Sequence, residues 1–219
     1  MISRCIMNLW LSSHLLVAGL FLGCSALTPE ECQPLVAPLS LADASVISGR
    51  SNFLVGYTDN EVFASILNFT QSSWVNFTFP PSSPNKGVMS EWNKMKGHCV
   101  ASTVNVTIDG NTLSASVANM SSVFHMLPTS DGCLVMSINT TARNLDKILN
   151  MMGFSDIVTP EEVNARSLYL MGRESSLKDS ELEQFKKQAS CLGFSGEPNF
   201  IYNSENAFCA EGEGVKLKF

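Results

Sequence analysis

Between Arg50 and Arg173 the chain breaks into eight short runs of β-type composition separated by strong turn chemistry, a rhythm that few folds accommodate. The predicted strands are Ser51–Thr58, Ile66–Phe79, Val88–Met95, Cys99–Ile108, Thr112–Val117, Ser121–Leu127, Cys133–Asn139 and Ser167–Met171. Pro80-Pro81-Ser82-Ser83-Pro84-Asn85-Lys86-Gly87, Asp109-Gly110-Asn111 and Pro128-Thr129-Ser130-Asp131-Gly132 punctuate them. Proline fixes φ and withholds an N–H, and glycine tolerates φ values that other residues avoid. Eight strands spaced this closely predict an all-β sandwich or an up-and-down antiparallel barrel.

Five N-glycosylation sequons begin at Asn68, Asn76, Asn105, Asn119 and Asn139. A sequon takes sugar only in the secretory pathway and only when its Asn faces water, so each one also sets the parity of its strand. With Asn76 outside, Trp74 and Thr78 share its face while Val75, Phe77 and Phe79 point inward. With Asn105 outside, Val104, Val106 and Ile108 point inward. The inward sets are apolar and the outward sets polar, Trp74 excepted.

Helical periodicity interrupts the strands twice. Leu145, Ile148, Leu149 and Met152 form an i, i+3, i+4, i+7 stripe over Asn144–Met152, ending at Gly153. Ser180-x-x-Glu183 is a capping box that opens a helix carrying Leu182, Phe185 and Ala189 on one face and running into Cys191. Thr159-Pro160-Glu161-Glu162 has the form of a further short helix start.

The N-terminus reads as a secretory signal: Arg4, an apolar core over Leu15–Leu22, and the small residues Cys24-Ser25-Ala26, with cleavage expected after Ala26. No later stretch is long enough for a membrane helix, so no membrane span is expected. The expected organisation is a signal over 1–26, one domain over 27–210 and a flexible tail over 211–219. Losing Arg4 takes the net charge from −6 to −7. With no basic patch interleaved with aromatics, nucleic acid is not an expected partner. The exported chain keeps five cysteines, Cys32, Cys99, Cys133, Cys191 and Cys209. An odd number in an oxidising compartment implies two bridges and a leftover thiol, or an intermolecular bond.

Strands, a helix ending at a cysteine, a last short strand over Phe200–Tyr202 and a final cysteine: in this order the chain resembles a lipocalin. Ser48-Gly49, Gly97-His98-Cys99-Val100, Glu181-Leu182-Glu183-Gln184-Phe185 leading into Cys191-Leu192, Asn199-Phe200-Ile201-Tyr202 and Cys209 carry the likeness. Within the family it is most similar to the orosomucoid and apolipoprotein M group, to which the tributyltin-binding and saxitoxin/tetrodotoxin-binding lipocalins of fish belong. The family's Gly-x-Trp motif is broken here, because Gly49-Arg50 is followed by Ser51. Its second motif survives only as Thr129-Ser130-Asp131.

The resemblance implies an eight-stranded up-and-down antiparallel barrel, with a C-terminal α-helix packed outside and a helical insertion between strands seven and eight. It implies disulfides Cys32–Cys191 and Cys99–Cys209, leaving Cys133 as a free thiol. It places Phe53, Val55, Met89, Glu91, Ala115, Tyr169 and Met171 on the inner wall, to which strand parity adds Val75 and Phe77. Glu91 matches a pocket carboxylate of that group. Its strand can also be read with Ser90 and Trp92 inside and Glu91 solvated, since a register slip of one residue exchanges the faces. Ala115 stands where the group has a pocket arginine, which disfavours anionic ligands. The Asn144–Met152 helix is open to two readings, a lid over the mouth or a helix packed on the outside. Cys133 is read as an inert thiol beneath the C-terminal helix, against a reactive one.

The expected function is a secreted, monomeric carrier of a small lipophilic or amphipathic molecule, cationic toxins and xenobiotics included, with no cofactor and no metal. The competing classes are a thiol-dependent isomerase of the lipocalin type and a protein-recognition module. Only His98 and His125 remain after the signal, no Cys/His spacing fits a metal, and Gly193-Phe194-Ser195-Gly196 lacks the spacing of a nucleophile elbow. Catalysis is therefore not expected. An immunoglobulin-like sandwich lacks its tryptophan after Cys32 or Cys99.

Overall fold

The computed structural model describes residues 27–154, 157 and 159–217, so the signal expected over 1–26 lies outside the described residues. In chain order the elements are α1 (Pro29–Val36), β1 (Gly49–Thr58), α2 (Glu61–Phe69), β2 (Thr70–Thr78), β3 (Lys86–Met95), β4 (His98–Asp109), β5 (Thr112–Val117), β6 (Met120–Leu127), β7 (Cys133–Arg143), α3 (Leu145–Met151), β8 (Glu162–Gly172), α4 (Asp179–Cys191), β9 (Phe200–Ile201) and β10 (Val215–Lys216). Each strand from β1 to β8 pairs antiparallel with the next, and β8 pairs back with β1. This is the closed eight-stranded up-and-down barrel that the resemblance implied, one of the two folds the strand rhythm left open.

Parity follows the sequons. Val75, Phe77, Val104, Val106 and Ile108 are buried in the barrel's inner cluster. Asn68, Asn105, Asn119 and Asn139 are exposed and Asn76 is half-buried. Trp74 does lie on the outer face, but it is covered there. It stacks on Trp92 with ring centroids 4.1 Å apart, carries the Arg50 guanidinium 4.2 Å above its ring, and donates its indole N–H to the Cys209 carbonyl at 2.8 Å.

A second cluster lies outside the barrel. Phe185, Ala189 and Leu182 of α4 cover Leu54, Val55, Tyr57, Leu168 and Leu170. Burying each of the larger of these side chains contributes about 1.5–3 kcal/mol. Gln188, fully buried on α4, donates to the carbonyls of Leu35 and Pro128 at 2.8 Å each. The bridge Cys32–Cys191 then ties α1 to the end of α4, and Cys99–Cys209 ties the C-terminal segment to β4. Both are the pairs the resemblance implied.

Several local expectations are corrected. Residues 66–69, expected to begin the second strand, complete α2, because the Asn60 side chain caps the N–H groups of Val62 and Phe63 and starts a helix. The C-terminal helix begins at Asp179, not at a Ser180 cap. The Glu181 carboxylate accepts the Lys178 N–H at 3.1 Å, which sets the start two residues earlier. Thr159–Glu162 forms no helix; β8 begins at Glu162. Within the tail expected to be flexible, Val215 and Lys216 pair in parallel with Val100 and Ala101.

The closed end lacks the tryptophan of Gly-x-Trp. Ser51 points inward there, its hydroxyl without a hydrogen-bond partner among the described residues. Leu41 and Ile47 of the N-terminal arm occupy the floor instead, and the arm is held by Leu39 N–H to Met126 carbonyl and Leu41 N–H to Gly110 carbonyl. Arg173 adds two 2.7 Å donations, to the Arg50 and Ser48 carbonyls.

A lidded cavity with one carboxylate

The opposite end of the barrel is closed by two helices. α2 joins β1 to β2 and α3 follows β7, so both lie at the mouth. Leu145, Ile148 and Leu149 of α3 pack with Phe154, Met95, Val163 and the α2 residues Val62, Phe63, Ile66 and Phe69. Phe69 stacks on Phe154 at 5.2 Å, with the Lys96 ammonium 4.2 Å and 4.9 Å from the two rings. Of the two readings open for the Asn144–Met152 helix, the lid is the one observed.

Between lid and floor is a cavity of about 240 Å³. Its lower wall is aromatic and thioether: Phe53, Tyr169, Met89, Met136 and Met171. The Phe53 ring stacks on Phe200 at 4.4 Å and lies 4.6 Å from Tyr169. Gly56 makes this possible, since a Cβ there would overlap the Phe53 ring. Nearer the mouth a belt of polar side chains faces inward from successive strands: Ser73, Asn93, Ser102, Ser122, Thr140 and Ser167. Two of these satisfy each other, Ser122 and Thr140 at 2.8 Å.

One side chain of the cavity is a carboxylate. Glu91 pairs with Val75 on β2 and Ser102 on β4, both inward-facing, so the register in which Glu91 lines the pocket is the one observed. Ser102 Oγ donates to its Oε2 across 3.3 Å, a long bond for a hydroxyl on a carboxylate. Burial pushes the Glu91 carboxyl above its ordinary range, and the Ser102 bond only partly opposes this. Tyr169 is pushed up to about 12 by its own burial, with the Glu91 charge adding to the effect. Among the described residues that line the cavity there is no Lys, Arg or His. The site is thus a mostly apolar enclosure with hydroxyls around its waist and a single unpaired acid.

Comparison with solved structures settles the architecture. The siderocalin Ex-FABP superposes with a TM-score of 0.55 at 11% identity, over 75% of this chain and 94% of that one. An odorant-binding protein gives 0.51 at 12%, over 72% and 90%. This chain has the lipocalin fold. No protein-family model and no curated protein matches its sequence. At these identities the likeness fixes the lipocalin architecture alone.

Within that lipocalin frame, Phe53, Val75, Met89, Glu91, Tyr169 and Met171 line the cavity. Phe77 and Ala115 are inward but belong to the packed core rather than the cavity lining. Val55 is a correction. A β-bulge at Leu54 shifts the register, so that Phe53 opposes Met171 while Val55 opposes Leu170, and Val55 turns outward under α4. Cys133 is the free thiol among the described cysteines, half-buried on the outer cluster beside α4. Burial raises its pKa first, with Glu181 adding to this against a nearby Ser130 hydroxyl. An outward thiol of raised pKa does not serve the cavity.

The polar belt and α2 are not among the sequence-based expectations. Parity offered a signal for the first: Ser73 is two residues before Val75, and Ser102 two before Val104. For the second, Asn60-Glu61 is an N-cap with an acid in the first turn.

Proposed function

We propose that this lipocalin is an exported glycoprotein that carries one small amphipathic cation inside the barrel, with the Glu91 carboxylate as counter-ion. The observation that carries the reading is the lone acid lining a mostly apolar cavity that has no basic partner among the described residues lining it. A carboxylate held out of water is costly until a positive charge or a hydrogen-bond set meets it, and a ligand cation supplies the missing partner. The Phe53 and Tyr169 rings beside it favour a cation further through their π faces. The hydroxyl belt would take the ligand's polar edges, and the apolar lid and floor its hydrocarbon. The signal sequence and the five sequons, four of them on exposed asparagines, support export and glycosylation. The similarity to the orosomucoid and fish toxin-binding group supports a basic xenobiotic or alkaloid as cargo.

Both tryptophans of the exported chain stack on the outer face of the barrel, so their emission is a poor reporter of the cavity. Calorimetric titration of the secreted protein is the better test. The panel would hold a neutral lipid, an anionic lipid, a basic amphiphile, a guanidinium compound and a trialkyltin. Saturable one-to-one binding of the cations, absent for the anionic lipid, is the expected outcome. Preference for the anionic lipid would overturn the proposal.

A further inference from the structure

The barrel wall has a thin side. β4 pairs with β5 only over Val106–Asp109, because β5 turns back at Ala118 and Asn119 while β4 continues to His98. Towards the mouth the free edge of β4 is taken by β10, with Leu217 N–H donating to the Ala101 carbonyl at 2.8 Å. Directly behind this strap is the cavity. Leu217 lines it, as do Val100 and Ser102 of the strand the strap covers, and Glu91 is the cross-strand partner of Ser102.

We propose that the strap over residues 212–217 is the gate of the cavity. Small molecules pass between β4 and the β5–β6 hairpin, beside Glu91, while the two-helix lid stays shut. The two possible doors differ in what each must expose. Opening the lid brings Leu145, Leu149, Phe154 and Val163 into water, all at most 3% exposed now, and breaks the Phe69–Phe154 stack. Lifting the strap breaks a two-residue ladder and the Leu217–Ala101 bond and withdraws one half-buried side chain, Leu217, since Val215 is already 65% exposed and Lys216 is exposed as well. Elements with little buried apolar surface are those that open locally at least cost.

The strap is also built to swing without leaving. Its root is fixed to β4 by the Cys99–Cys209 bridge. Past that anchor, Gly212 and Gly214 hold φ of 81° and 88°, which glycine alone adopts without strain. Docking depends on the second glycine, because a Cβ on Gly214 would overlap the Cys99 carbonyl.

Access can be measured without any ligand, which separates this inference from the proposed cargo. In a Cys133→Ser background, Ser167→Cys places one thiol in the cavity, and its reaction with methyl methanethiosulfonate is followed by mass spectrometry. Gly214→Ala and Leu217→Gly loosen the strap by different means, and Phe154→Ala loosens the lid. Far-UV circular dichroism confirms that each variant is folded; if Gly214→Ala is not secreted, Leu217→Gly still reports. The strap variants are expected to label about tenfold faster than the parent, and faster than Phe154→Ala, as lower local opening free energy requires. Unchanged labelling in the strap variants, or faster labelling in Phe154→Ala, overturns the proposal.

Discussion

Glu91 on β3 and Ser102 on β4 stand directly opposite each other inside the barrel, and the Ser102 hydroxyl is the hydrogen-bond donor that reaches the Glu91 carboxylate, at 3.3 Å. One long bond from a neutral donor is small compensation for a half-buried carboxylate facing a mostly apolar cavity. This places a charge in the cavity that the protein itself leaves unpaired.

Stability should register that charge. Because burial raises the Glu91 pKa above its ordinary 4.5, the folded protein holds the proton more tightly than the unfolded chain. The contribution of Glu91 is therefore most favourable below about pH 4.5 and is lost as pH rises through the raised folded-state value. Glu91→Gln, neutral throughout, should melt close to wild type near pH 4 and higher at pH 7. A gain of roughly 1 kcal/mol corresponds to about 2–4 °C for a chain of this size. Equal melting temperatures at both pH values would mean that Glu91 is well solvated.

Phe53 and Val55 should part company. Val55 is fully buried in the outer cluster, so Val55→Ala should cost roughly 2 kcal/mol of stability and leave cation affinity unchanged. Phe53→Ala removes a cavity wall and should weaken binding as well as destabilise. Denaturant melts paired with calorimetry separate the two, and weakened binding in Val55→Ala would contradict the outward turn after the bulge.

Cys133 should behave as a spectator. Its raised pKa and position by α4 predict slow alkylation by iodoacetamide at pH 7, the rate climbing steadily with pH as thiolate forms and still climbing at pH 9. Cys133→Ser should bind cations within about twofold of wild type, a change of less than ~0.5 kcal/mol. Loss of binding on alkylation would restore a thiol role.

The bridge at the base of α4 should be structural. Cys32→Ala with Cys191→Ala releases α1 from α4 and should cost about 2–5 kcal/mol, while the barrel and its cavity persist. Chemical unfolding of the double variant measures this, and a cost near zero would show that Gln188 and apolar packing hold α1 unaided.

Strand alternation was legible wherever a sequon pinned one face. Asn76 and Asn105 oriented β2 and β4 correctly, while β3, which carries no sequon, stayed open to either face. What escaped is non-local or sub-motif. The bulge at Leu54 leaves no mark in composition, yet it reverses Val55. Val62, Phe63, Ile66 and Phe69 suit a strand as well as a helix, and only the Asn60 cap decides between them. β10 is held through backbone groups and close approach at Gly214, so its side chains carry little signal. Glu91 was visible as a candidate, but its direction depends on pairing with Val75 and Ser102, which one strand cannot reveal about itself.

The most direct test of the cation-carrier account is a matched pair of ligands on a matched pair of proteins. Calorimetry at pH 7 would compare 1-naphthylmethylamine, a cation at that pH, with the neutral 1-naphthalenemethanol on wild type and on Glu91→Gln. The account predicts that the cation binds wild type about tenfold or more tighter than it binds Glu91→Gln, a difference of ~1.4 kcal/mol or greater, while the alcohol scarcely distinguishes the two proteins. Equal affinity of the cation for both proteins, or no saturable binding of either compound, would contradict it.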